Sequence, residues 1–308
     1  MQRDSCRVVP FLQTFRAGHG GRDAMTAGAK PDSASAGTGR QAEWMANRIR
    51  LELLRDNLVC GCMVTEVRTP AIAMILDSAG LDFFILDMEH GSFTYQAASD
   101  ILVACRGLHI VPFVRVPGID RESFQKLLDA GARGLLVPRV ETGEEVREAL
   151  RLIRYAPEGS RGLSMCRAHT GFRRPDRRQF TTAANRGIML MVQIETHKGV
   201  ENIESIADVC GVDVLFIGPS DLSQSYDGDA AQVEHGIERV MQVGMEKHIA
   251  TGIHHSNLSY LTGLVARGVR LVSINTEVGA IIGALTEMTA AIRSSAAVYG
   301  AMRVAHTD

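Results

Sequence analysis

The chain has 308 residues, and its 33 basic side chains nearly balance its 35 acidic ones. This balance gives no electrostatic footprint for nucleic acid, and no apolar run approaches the roughly eighteen residues that a membrane helix needs. We therefore expect a soluble, cytoplasmic protein with no nucleic-acid or membrane partner. The six cysteines are scattered along the chain, a usage more typical of reduced thiols than of a disulfide framework.

Residues 1–44 differ in composition from the rest of the chain. They are rich in Gly, Ala and Ser and show no apolar periodicity, which is typical of a disordered or non-native tail. The Arg-containing opening resembles a transit peptide, but the acidic Asp4 counts against that interpretation, and Met25 or Met45 is an alternative start. We assign residues 1–44 to this tail and residues 45–308 to one catalytic domain.

From residue 45 onwards, apolar runs of the β type alternate with helical patterns. In chain order the runs are "CGCMV", "LDFFILDMEH", "IVPFVRVP", "ARGLLVPRV", "MLMVQIE", "VDVLFIG", "IATGIHH" and "LVSINTE". Because these runs are continuously apolar, the strands are expected to be covered on both faces, as in a parallel sheet. One intervening helix opens with Thr142 and Glu145 in the spacing of a capping box.

Eight such units in about 250 residues predict a (β/α)₈ barrel, the TIM barrel. A doubly wound open sheet is the alternative, since periodicity does not prove closure. No glycine fingerprint of the dinucleotide or P-loop type follows the first run, so that alternative has no cofactor motif behind it.

Polar side chains follow the predicted strands at their C-terminal ends, where active sites of such barrels lie. They are Asp87, Glu89, His90, Arg115, Pro138, Arg139, Gln193, Glu195, Ser220, Asp221, His254, His255, Asn275 and Glu277. The opposite strand ends are far less polar. This asymmetry predicts the functional site.

Glu195 and Asp221 end neighbouring predicted strands. Two carboxylates with room for water suit Mg²⁺ or Mn²⁺ better than zinc. The alternatives are ion pairs or, for Asp221, the N-cap of a helix. The turn from Gly218 to Asp221 would also aim backbone N–H groups at a carboxylate or phosphate.

Arg115 offers a planar, permanently charged fork for an anionic ligand, or a structural salt bridge with Glu89 or Asp129. His90 lies three residues after Asp87, near enough for the carboxylate to orient the imidazole as a general base. His254 and His255 lack such a partner and are interpreted as structural.

The four lysines, Lys30, Lys126, Lys198 and Lys247, all lie outside the predicted strands, which disfavours a Schiff-base mechanism. A cation, an anion site and an arginine together suit a 2-oxo acid and its enolate.

Five segments together resemble the HpcH/HpaI family of metal-dependent pyruvate aldolases. They are "FFILDMEHGSF", "VPFVRVP", "KLLDAGARGLLVPRVETGEEVREAL", "APEGSRGLS" and "MVQIET…VDVLFIGPSDLS". The resemblance covers roughly residues 46–295. It implies a barrel of the phosphoenolpyruvate/pyruvate type in a homohexamer, a trimer of dimers that exchange their last helices.

The resemblance also implies roles for individual residues. Glu195 and Asp221 would bind a divalent metal (Mg²⁺, Mn²⁺ or Co²⁺), and Arg115 would hold the substrate and stabilise its enolate. His90, paired with Asp87, would transfer protons. The remaining implied residues are Asp129, lining the site or completing it across a subunit interface, Gln193, and the backbone amides of Ser220 and Asp221 for the pyruvate carboxylate.

The implied reaction is reversible cleavage of a 4-hydroxy-2-oxo acid to pyruvate and an aldehyde through a metal-held enolate. A citrate-forming or decarboxylating condensation on the same scaffold is one alternative, and a non-catalytic barrel that binds a keto acid is another. Two departures concern the aldehyde: "CGCMVTEV" stands where several relatives carry an aromatic residue, and residues 164–180 are arginine-rich. Those arginines, with Arg161, suit an acidic aldehyde or form a solvated loop.

Overall fold

The computed structural model describes residues 47–305, with side chains described for residues 47–296. The predicted tail of residues 1–44 lies outside this range, so the assignment of residues 1–44 and 45–308 stays a prediction. Within the range, eight parallel strands form a closed barrel in chain order. The predicted TIM barrel is confirmed and the open sheet is wrong, because the first strand pairs with both the second and the eighth.

Each predicted apolar run contains one strand, to within one residue at the start of the first. The strands are β1 Val59–Val64, β2 Phe83–Asp87, β3 Val111–Arg115, β4 Gly134–Val137, β5 Met189–Ile194, β6 Val214–Ile217, β7 Ala250–His255 and β8 Leu271–Thr276. Strands β2 to β6 are buried along their whole length, as expected for a sheet with helices on one face and a filled barrel on the other.

Helices connect the strands and surround the barrel. They are α1 Arg48–Leu54, α2 Ala71–Ser78, α3 Tyr95–Ala104, α4 Arg121–Ala130, α5 Gly143–Ile153, α6 Arg177–Gly187, α7 His197–Glu201, α8 Ile203–Ala207, α9 Pro219–Ser225, α10 Ala230–Lys247, α11 Leu258–Ala266 and α12 Glu277–Ala305. The predicted capping box is confirmed at the start of α5. The Thr142 hydroxyl accepts from the backbone N–H of Glu145, whose carboxylate accepts from the backbone N–H of Thr142.

Side chains alternate between two hydrophobic cores. One core fills the barrel interior, where α1 inserts Ile49 among the inward side chains of the strands; the other packs the outward side chains against the helices. Because strand side chains alternate with a period of two, Asp87 shares the inward face of Phe83 and Ile85. Polar side chains therefore form the top layer of a barrel interior that is apolar below.

The last helix differs from the others in its exposure. α12 carries large apolar side chains on the surface of this chain, with exposed fractions of 51% to 72% for Ile281, Ile282, Leu285, Met288 and Ile292. Isolated exposed apolar residues are ordinary, whereas a contiguous apolar surface marks an interaction site.

Two further predictions concern composition. Across residues 47–305, no helix combines the length and apolar character needed to cross a membrane. Cys60, Cys62, Cys105 and Cys166 are free thiols, as predicted.

Candidate active site

Asp87 and Arg115 form a buried ion pair at the C-terminal ends of β2 and β3. They lie opposite each other in the strand register. Arg115 donates from Nε to Asp87 Oδ1 at 2.9 Å and from Nη2 to Oδ2 at 2.7 Å. Burial alone would raise the pKa of Asp87, but the hydrogen bonds and charge of Arg115 outweigh it, so the pKa is lowered. The pair fixes the guanidinium in the mouth of the barrel.

The predicted pairing of Asp87 with the His90 ring is wrong. Asp87 Oδ1 accepts instead from the backbone N–H of Glu89 at 3.1 Å and of His90 at 3.3 Å. The His90 side chain is 67% exposed, and its Nε2 lies 3.9 Å from the Glu89 carboxylate. The physical reason is competition, because Arg115 occupies both oxygens of Asp87. The catalytic role of His90 stays a prediction.

Glu195 is held in place immediately after β5. Its side chain is only 2% exposed, and its oxygens accept from the backbone N–H of Arg139 at 2.8 Å and from Gln193 Nε2 at 2.5 Å. Arg139 has a φ of +52°, an unfavourable conformation for a non-glycine residue and one that clusters at functional sites. A Cβ on Gly218 would lie 2.6 Å from Glu195 Oε2, so this close approach requires glycine.

Besides Asp87, the three carboxylates of Glu89, Glu195 and Asp221 share the mouth of the barrel. Burial, reinforced by the charges of Asp221 and Glu89, raises the pKa of Glu195 to about 7 against the opposing effects of the Arg139 amide and Arg115. Burial also raises the pKa of Glu89, although the charge of Arg115 opposes it. Glu89 Oε2 lies 3.3 Å from Arg115 Nε in an ion pair, but among the described residues it is buried without a hydrogen-bond partner. This surplus of buried acidic oxygens is typical of a site that holds a cation.

The donor set fits a hard divalent cation. Asp221 lies in the first turn of α9, whose N-cap is Gly218, so the alternative of Asp221 as a helix N-cap is wrong. Residues 47–305 contain no cluster of three or more His, Cys, Asp or Glu arranged to hold a metal. Mg²⁺ nevertheless keeps several waters and is commonly bound through one or two carboxylates plus substrate oxygens. Glu195 and Asp221 could supply those two.

Asp129 is engaged elsewhere. It lies near the end of α4, where its carboxylate pairs with Arg161 Nη2 at 2.6 Å and its backbone carbonyl lies 3.0 Å from His169 Nδ1. The alternative pairing of Arg115 with Asp129 is therefore wrong, whereas the one with Glu89 is confirmed at 3.3 Å. Arg161, only 7% exposed, therefore has Asp129 as its ion-pair partner in this structure.

Two residues at the mouth of the barrel, Glu277 and His254, were assigned no functional role from the sequence. Glu277 begins α12 and accepts the backbone N–H groups of Thr65, Glu66 and Val67 at 2.7 to 2.9 Å, which fixes the loop after β1. His254 shares the inward face of β7 with Gly252. Counting alternate residues along β7 from Gly252, which faces the barrel interior, would have identified it.

The comparisons agree with this geometry. The family described as HpcH/HpaI aldolase/citrate lyase matches residues 63–284. A hydroxypyruvate/pyruvate aldolase of Roseovarius nubinhibens is 35% identical over 208 residues, covering 64% of this chain and 79% of that protein. A 5-keto-4-deoxy-D-glucarate aldolase of an Enterobacter species is 31% identical over 242 residues, covering 76% of this chain and 91% of that protein.

Solved structures give the same result. An HpcH/HpaI aldolase from Desulfitobacterium hafniense is 30% identical with a TM-score of 0.77, covering 80% of this chain and 97% of that one. A citrate synthase, SbnG, is more distant at 26% identity with a TM-score of 0.72. With most of the barrel matched and its relatives named as aldolases, the chain is an enzyme and belongs to the HpcH/HpaI aldolase/citrate lyase family.

Proposed function

We propose that the protein is a divalent-metal-dependent aldolase that reversibly cleaves a 4-hydroxy-2-oxo acid to pyruvate and an aldehyde. The observation that carries this proposal is the burial of Glu195 beside Asp221 and Glu89, with Arg115 as the neighbouring cation. An ionised carboxylate in such a place is costly unless a cation balances it. The aldolase relatives support the reaction class.

Glu195 and Asp221 are the residues that would hold Mg²⁺, Mn²⁺ or Co²⁺. When bound there, such a cation supplies a Lewis acid for the oxo group of the substrate. Gln193 orients Glu195 through its amide nitrogen, and among the described residues its buried Oε1 has no hydrogen-bond partner. We assign this oxygen to a water or substrate hydroxyl in the site.

Arg115 is assigned to the oxygen that becomes negative during cleavage. Its Nε and Nη2 are committed to Asp87, so Nη1 is the nitrogen we assign to the substrate. A guanidinium fixed before the reaction stabilises developing charge without reorganisation. The backbone amides of Ser220 and Asp221, in the first turn of α9, are assigned to the carboxylate of the oxo acid.

His90 is assigned to proton transfer with solvent. Its exposed ring beside Glu89 is in contact with water at the mouth of the barrel, and imidazole is the most common general acid and base in enzymes. We place the substrate proton one water away from this ring. Asp129 is assigned an indirect role, completing a neighbouring site in the oligomer.

The exposed apolar side chains of α12 support assembly into a homo-oligomer, which we propose is a hexamer built as a trimer of dimers. Burying this surface against a partner removes apolar area from water. We also propose that the protein is located in the cytoplasm.

The test is pyruvate release from 4-hydroxy-2-oxopentanoate, followed with lactate dehydrogenase. We expect Glu195→Ala and Asp221→Ala each to lower kcat/KM at least 100-fold, and EDTA to abolish activity until Mn²⁺ is restored. Glu201→Ala, which removes an exposed carboxylate of α7, is the matched control and should retain activity. Full activity of Glu195→Ala would contradict the proposal.

A further inference from the structure

Within β7 and β8 themselves, which form one wall of the mouth, the inward side chains near the mouth are polar and include no carboxylate. A Cβ on Gly252 would contact Phe216, Leu271 and Val214 inside the barrel, so position 252 faces inwards. His254, two residues later, therefore faces inwards above it. His254 lies opposite Ser273 in the strand register, and Ser273 is fully buried.

One ring nitrogen of His254 has a fixed partner. Its Nδ1 lies 2.9 Å from Ser273 Oγ, which sets the orientation of the ring and leaves Nε2 for another group. The ring is near enough to Arg115 and Asp87 for their charges to act on it. His254 therefore lines the same mouth as the ion pair that we assign to the substrate.

The imidazole is neutral in this setting. Burial and the charges of Arg115 and His255 lower the pKa of His254 to about 4, so the ring carries no charge at neutral pH. An uncharged imidazole hydrogen-bonds well to a hydroxyl group but gives no ion pair to a carboxylate. The chemistry of this wall suits a hydroxylated ligand.

The adjacent histidine provides a contrast. The Nδ1 of His255 accepts from the backbone N–H of Asn257 at 2.9 Å, and its ring packs 4.8 Å from that of Tyr260. His255 thus serves local structure on the other face of β7. The two histidines form a natural matched pair for experiment.

We propose that His254, oriented by Ser273, is a specificity-determining residue that hydrogen-bonds through Nε2 to a hydroxyl group of the acceptor aldehyde. The inference rests on the proposed function, which places the oxo acid among Arg115, Glu195 and Asp221 and leaves this wall to the second substrate. The aldehyde is therefore a neutral hydroxyaldehyde rather than an acidic semialdehyde. The ion pair of Arg161 with Asp129 agrees with this choice.

The test compares two aldehydes of similar size, glycolaldehyde and propanal, in condensation with pyruvate by the Mn²⁺-loaded full-length protein. We expect the wild type to prefer glycolaldehyde in kcat/KM by at least 10-fold, and His254→Leu to lose most of that preference through a higher KM for glycolaldehyde. His254→Gln, which keeps hydrogen-bonding groups, should retain part of it. His255→Gln should leave the preference unchanged.

Several results would overturn the inference. The first is a preference of His254→Leu for glycolaldehyde over propanal that stays within twofold of the wild-type preference. The second is a wild-type preference for succinic semialdehyde over glycolaldehyde. The third is a His254→Leu protein that changes its preference between hydroxypyruvate and pyruvate instead of its preference between aldehydes. If His254→Leu does not fold, Ser273→Ala replaces it, and an unaltered preference there would equally refute the role. Failure of wild-type protein to exchange pyruvate methyl protons would instead contradict the proposed function itself.

Discussion

Replacing Glu195 with glutamine should stabilise the metal-free protein at pH 8, although it removes a proposed metal ligand. Glu195 is 2% exposed, and burial with the charges of Asp221 and Glu89 raises its pKa to about 7. The amide keeps the shape of the side chain without its charge, and its oxygen can still accept the Arg139 N–H. Gln193 can rotate its own amide, because its Oε1 has no hydrogen-bond partner among the described residues.

The magnitude follows from the change in pKa. A shift from 4.5 to about 7 corresponds to about 3 kcal/mol at 1.36 kcal/mol per unit. Because the folded-state pKa is raised, the folded protein retains between pH 4.5 and pH 7 a proton that the unfolded chain has lost. The free energy of unfolding therefore falls as pH rises through this window. At pH 8 the whole cost is present, and below pH 4.5 it is absent.

The assay is urea unfolding followed by circular dichroism, with EDTA present, at pH 5 and pH 8. We compare the free energy of unfolding of E195Q with that of the wild type. The advantage of E195Q should be larger at pH 8 than at pH 5 by about 2 to 3 kcal/mol. Substitution of the exposed Glu201 by glutamine should leave this pH dependence unchanged. Adding Mn²⁺ should stabilise the wild type and not E195Q. An E195Q protein that gains nothing over the wild type between pH 5 and pH 8 would refute the reasoning.

Three further substitutions test other parts of the structure. Gly218→Ala places a Cβ 2.6 Å from Glu195 Oε2 and should weaken Mn²⁺ binding at least 10-fold in calorimetry, whereas Gly263→Ala, with nothing within 4 Å, should not. Glu277→Ala leaves three backbone N–H groups without their acceptor, so we expect a loss of about 3 kcal/mol in stability and faster amide exchange in the loop after β1; unchanged exchange would contradict this. Leu285→Glu should reduce the oligomer mass in light scattering, and an intact hexamer would rule out α12 as the interface.

The barrel could be predicted from the sequence because strand burial leaves a direct signal. Strands covered on both faces read as continuous apolar runs, and their number matched the barrel. Closure had to come from the structure, since β1 and β8 lie more than two hundred residues apart in the chain and no local pattern records their pairing.

The positions of the site residues were predicted better than the side chains with which they pair. The strand-end rule located Asp87, Arg115, Glu195 and Asp221, but proximity in sequence suggested the wrong partner for Asp87. The register of β2 against β3 places Arg115 directly opposite, and a bidentate guanidinium competes better for a buried carboxylate than a ring at the surface.

Other contacts between side chains could not be predicted from local sequence patterns. Asp129 meets Arg161 across 32 residues of chain, through a segment whose path the sequence pattern does not specify. His254 was named among the strand-end residues but interpreted as structural, because it was judged by its neighbours in sequence rather than by its face of β7. Side-chain alternation along that strand, counted from Gly252, contains the missing information.

The most direct test of the central claim is exchange of the pyruvate methyl protons with D₂O, followed by NMR, with and without EDTA. It requires no aldehyde, so it isolates proton removal at the oxo acid from the choice of second substrate. We predict exchange by the wild type with Mg²⁺, Mn²⁺ or Co²⁺, loss of exchange with EDTA, and none by Glu195→Ala. Absence of exchange with every one of these metals would contradict the aldolase proposal and favour a condensation enzyme or a barrel that binds without turnover.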